Sequence, residues 1–91
     1  MKTSLRLHIV GKAQNSAHVI LHKELDLPCI CPVGLAIDDS ALHRNEPRLK
    51  VKHVSLCTNG PLVQVILEDY EVENLDRANQ AVEVFKSHGW Q

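Results

Sequence analysis

Cysteine and histidine are the residues of this chain with the widest chemical repertoire, and it carries three of the first and six of the second in 91 residues. Cys29, Cys31 and Cys57 with a nearby histidine, His43 or His53, would complete a tetrahedral zinc set. The spacing speaks against it. Structural zinc sites usually place two or more residues between paired cysteines so that both sulfurs can turn inward, whereas Cys29-Ile30-Cys31 allows one, and Pro28 and Pro32 stiffen the backbone on either side. Buried small side chains are the plainer account of these thiols, with a metal-binding or thiol-dependent site as the alternative.

The histidines divide in a similar way. His8, His18 and His22 fall on the outward face of two alternating segments. As strand residues, His18 and His22 stand about 13 Å apart, too far to share an ion. Only helical spacing would make them a ligand pair, so solvent-facing imidazoles are the expectation. The chain holds no G-x-S-x-G elbow, phosphate-cradling glycine loop or dinucleotide fingerprint. Glu68, Asp69, Glu71, Glu73 and Asp76 form an acidic cluster without the glycine and spaced oxygens of a calcium loop. The reading is a protein that is not an enzyme, with no cofactor and no metal.

Charge is unevenly spread although the net is −1. Arg44, Arg48, Lys50 and Lys52 form a basic stretch ahead of the acidic cluster. That stretch, Arg44 to Lys52, is the one argument for nucleic acid. Sheet-based single-strand binders also need exposed aromatics, and this chain has one Phe, one Trp and one Tyr. Nucleic acid is therefore a second alternative, and neutralisation between neighbouring strands is the simpler account of the charges.

The elements that must position these residues begin with two alternating segments. Ser4 to Val10 sets Leu5, Leu7 and Ile9 against Arg6 and His8. Ala17 to Leu27 sets Val19, Leu21, Leu25 and Leu27 against His18, His22, Glu24 and Asp26, with Ile20 and Lys23 off the pattern. A helix capped by Ser16 competes for the second segment, and strand is preferred. Residues 28–47 show no period; Val33, Leu35 and Ile37 can form a short strand there, and Asp39 or Ser40 can cap a helical turn. A stretch of this length is expected to be ordered and to carry function.

Leu49 to Thr58 and Leu62 to Val72 flank Asn59-Gly60, a strong hairpin signal. Side-chain matching sets Leu56 opposite Val63, Val54 opposite Val65, Lys50 opposite Asp69 and Arg48 opposite Glu71. The apolar side then switches near Lys52 and His53, which calls for a twist, a bulge or burial on both faces. Asn74 to Gln91 reads as a helix: an Asn cap, a stripe of Leu75, Ala78, Ala81, Val82 and Phe85, then Gly89 to close it and Trp90 to fold back on the stripe.

Together these predict a single α+β domain over residues 1–91, an antiparallel sheet of four to five strands in two hairpins, with one C-terminal helix packed across a face. No apolar run approaches the length of a membrane span, and no secretory signal precedes the first strand, so a cytoplasmic protein is expected. By exclusion the function expected is protein–protein interaction: an adaptor, subunit or inhibitor, of a kind that mobile elements encode, with homo-oligomerisation also open. Residues 28–47 carry more apolar side chains than a solvated loop needs. Leu42, His43 and Arg44, with Arg48 and Lys50 at the start of the next strand, are the expected partner-binding residues.

Overall fold

In a computed structural model, residues 2–12, 18–59 and 62–91 are described. They form six strands and a helix: β1 Lys2–Gly11, β2 His18–Asp26, β3 Ala36–Ile37, β4 Leu49–Cys57, β5 Leu62–Leu67, β6 Tyr70–Val72 and α1 Leu75–Ser87. The sheet order is β2-β1-β5-β4-β3, and β6 pairs β1 beyond the end of β5. An α+β fold with one helix on the sheet is what the sequence predicts. The sheet, however, is mixed. β1 pairs β2 antiparallel but runs parallel to β5 and β6. Two hairpins are joined through their inner strands, and alternation within a strand carries no information about which way its neighbour runs.

Residues 18–26 are strand, not helix, and Leu21 faces the core. The turn between the first two strands and the Gly60-Pro61 part of the second turn lie outside the described residues. Beside them the second hairpin keeps the predicted register, with Leu56 opposite Val63 and Val54 opposite Val65. A bulge then falls between Val51 and His53, at the place where the apolar side switches. The extra residue, Lys52, lets Val51 and Val54 both turn inward. It also corrects the charged pairs. Lys50 comes opposite Glu68, whose N–H donates to the Lys50 carbonyl at 2.8 Å, instead of Asp69. Arg48 pairs with Asp38 at 3.3 Å, and Glu71 with Lys12 at 3.8 Å, instead of with each other.

Leu5, Leu7 and Ile9 of β1 and Val63, Val65 and Leu67 of β5 form the floor of the core. α1 covers it with Ala78 and Phe85. Asn74 caps the helix by accepting from the Arg77 N–H at 2.9 Å. At the other end Trp90 N–H reaches the Phe85 carbonyl and Gly89 N–H the Lys86 carbonyl, with Gly89 at φ +96°. This is the left-handed closure that glycine makes easy, and it sets the buried Trp90 ring edge-on to Phe85 at 5.7 Å. Leu75, expected on the stripe, is half exposed at the first position of α1. Among the described residues no helix is long and apolar enough to cross a membrane.

Candidate functional site

The segment between β2 and β4 crosses the helix side of the sheet and is held there by side chains. Lys23 explains its break with the alternating pattern. It lies on the inner face of β2, and its Nζ donates to Asp39 Oδ2 and to the His88 carbonyl, both at 3.0 Å. The same ammonium stands 5.7 Å from the Trp90 ring. One cation thus ties a strand, the loop and the helix terminus, where the carbonyl ends of the helix favour positive charge.

Asp39 in turn builds a tight turn. Its Oδ1 accepts from Ala41 N–H at 3.0 Å, and its carbonyl accepts from Leu42 N–H. Burial acts to raise the Asp39 carboxyl, but the Ala41 N–H, the Lys23 ammonium and the Trp90 indole outweigh it and hold it below the ordinary 3.8. The indole acts there as a nearby dipole, since its buried N–H meets no acceptor at hydrogen-bonding distance. Ser40 Oγ adds a third tie, 2.9 Å from His88 Nδ1.

Further along, the loop is pinned to β6. Tyr70 sets its ring edge-on against Phe85 at 5.3 Å and donates its hydroxyl to Glu46 Oε2 at 2.9 Å. Burial, then the hydrogen bond and charge of Glu46, push the Tyr70 phenol up to about 12. It remains a neutral donor at physiological pH, suited to holding a loop in place. Glu46 Oε1 receives the His43 N–H at 3.4 Å, and Arg48 donates to the His43 carbonyl at 3.4 Å. Between loop and helix lies a groove of about 240 Å³, lined among others by His43, Glu46, Tyr70, Arg77, Gln80 and Val84.

The expected partner-binding residues separate in this frame. His43 and Arg44 are exposed at the loop tip, and His43 also lines the groove. Leu42 is half-buried and packs against the core. Arg48 is half-buried beside Asp38, and Lys50 is exposed on β4 opposite Ala36. Sequence reasoning missed Lys23, Glu46 and Tyr70, although Lys23 was visible as a charge at an inward position; Asp39 was expected to cap a turn, as it does at Ala41, but its tie to Lys23 was not.

The cysteines are spread between core and surface. Cys31 is buried and its thiol pushed up by burial and by Cys29, whereas Cys29 and Cys57 are exposed. Among the described residues no cluster of three or more His, Cys, Asp or Glu side chains is placed to hold a metal ion. On the open face of the sheet, His8 Nδ1 and His18 Nε2 lie 2.8 Å apart, so one ring can donate to the other. Burial and then His18 push the His8 imidazole below its ordinary 6.5.

No family model, curated protein or solved structure matches the chain.

Proposed function

We infer that this protein is a small protein–protein interaction module, acting inside the cell by presenting the loop between β3 and β4 to a larger partner. The observation that carries the reading is the contrast within that loop. Its base is tied by Asp39–Lys23 and Glu46–Tyr70, while His43, Arg44 and Asn45 at its tip are exposed. A loop already ordered in the unbound protein loses little conformational freedom on docking, so more of each contact shows up as affinity. The adjoining groove offers Arg77 and Gln80 beside the apolar Val84, a mixture suited to an extended peptide segment or a partner's side chain.

The test is affinity capture from lysate of the native host with the recovered protein identified by mass. His43→Ala/Arg44→Ala removes the tip and leaves Leu42 in its core contacts. The variant should melt within about 1 kcal/mol of the parent, as exposed substitutions do, and lose the one protein the parent retains. A variant that folds and still retains it would place the contact elsewhere.

A further inference from the structure

The two edges of the sheet are treated differently. On β2 the outer edge is interrupted at its middle, where His22 and Gln91 exchange main-chain hydrogen bonds of 2.7 and 2.8 Å, and it carries the exposed charges Glu24 and Asp26. On β4 the covering strand stops short. Gly34 and Leu35 bond to Val51, and β3 pairs only Lys50 and Leu49. Among the described residues nothing bonds to the outer side of 52–57. That stretch is an uncovered edge whose outward N–H and C=O groups are a template for another strand. Leu56 within it is 59% exposed.

We propose that the uncovered edge of β4 pairs antiparallel with the same edge of a second copy of this chain, with Ser55 on the two-fold axis, to give a dimer with one continuous sheet. Three registers are open to such a pair. In an antiparallel pair, opposed residues point to the same face, so a two-fold axis must pass through a residue and not between two. An axis at Val54 would lay Cys57 of the second copy on Val51, whose outward groups already serve Gly34 and Leu35. An axis at Leu56 would set Val54 against Thr58 and shorten the ladder. With the axis at Ser55, His53 meets Cys57 and Val54 meets Leu56, twice each. The ladder then ends where the Thr58-Asn59 turn begins on one copy and Leu35 takes over on the other.

The chemistry of that register is also favourable. The Val54–Leu56 pairs cover the exposed Leu56 on the helix side, and the single charge, Lys52, lies opposite Thr58 instead of another lysine. The groove at the tied loop lies over β6 and α1, away from this edge, so both copies keep their loops accessible. A partner with two sites would then be bound with gain from the linkage. The dimer rests on the edge alone and stands or falls independently of the loop reading.

A single strand pair is smaller than a standard interface, so dissociation on the order of micromolar or weaker is expected. Sedimentation equilibrium from low micromolar to about 1 mM chain should show a shift from the 10.2 kDa chain mass toward twice that value. Ser55→Cys, in a background of Cys29→Ser and Cys57→Ser, brings its two Cα atoms to about 4.5–5.5 Å, within disulfide range. Mild oxidation should yield one cross-linked species of doubled mass. Leu56→Lys, at an exposed position, should fold as the parent does and stay monomeric at every concentration. A parent that remains monomeric overturns the proposal, including the case in which a foreign strand takes the edge instead. So does a parent dimer that neither cross-links through residue 55 nor responds to Leu56→Lys.

Discussion

Asp39 and Lys23 tie the loop to β2 through a part-buried ion pair of 3.0 Å. Asp39 is 8% exposed and is satisfied by one cation and one amide. Asp39→Ala leaves the Lys23 ammonium without its carboxylate and the Ala41 N–H without an acceptor, at a cost of roughly 2 kcal/mol. The sign of the pH dependence follows from the depressed pKa. In the unfolded chain the group titrates near 3.8, in the fold below it. Its contribution is therefore present in full above that value and is lost as pH falls through the folded pKa. The expected outcome is a parent and an Asp39→Ala variant separated by that amount in urea melts at pH 7, and converging as the pH is taken below about 3.8. A gap that stays constant into acid would mean that the carboxylate charge contributes nothing.

At the scale of elements, most of what was legible came from local signals. The cap, stripe and glycine closure of α1 were readable because each depends on residues within a turn or two of each other. The bulge at Lys52 was readable as a conflict: two runs of correct period whose inward faces disagree. What the bulge did to the charges was not, because one inserted residue shifts every later pair and side-chain matching has no way to count it. α1 gives a clean comparison of neighbouring positions. Val82 is half-buried against the core and Glu83 is exposed. Val82→Asp should cost roughly 2–4 kcal/mol by placing a charge in the helix–sheet contact, while Glu83→Ala should leave the thermal midpoint nearly unchanged. Equal effects in thermal melts would mean that the helix does not pack through this stripe.

For the whole molecule, the sequence fell short where residues far apart in the chain meet. Nothing near Leu5 indicates that Val65 lies beside it in a parallel pair, since parallel neighbours are never joined by a tight turn. The candidate site has the same character. Glu46 and Tyr70, 24 positions apart, and Lys23 and His88, 65 apart, meet only once the sheet and helix are assembled. His43 and Arg44 stand out in the sequence because they lie in the one long aperiodic stretch, whereas the ties that hold it do not: Lys23 and Tyr70 sit on strands, and Asp39 and Glu46, within the stretch itself, are polar loop residues whose partners are far away in the chain. The proposed function requires this loop to be ordered before any partner arrives. Amide hydrogen exchange measured residue by residue by NMR on the unbound protein tests it most directly. The N–H groups of Ala41, Leu42 and Glu46, which donate to Asp39 Oδ1, the Asp39 carbonyl and the His43 carbonyl, should exchange far more slowly than in an unfolded chain. They should lose that protection in Asp39→Ala while β1 keeps its own. Exchange at unfolded-chain rates in the parent protein would contradict the account.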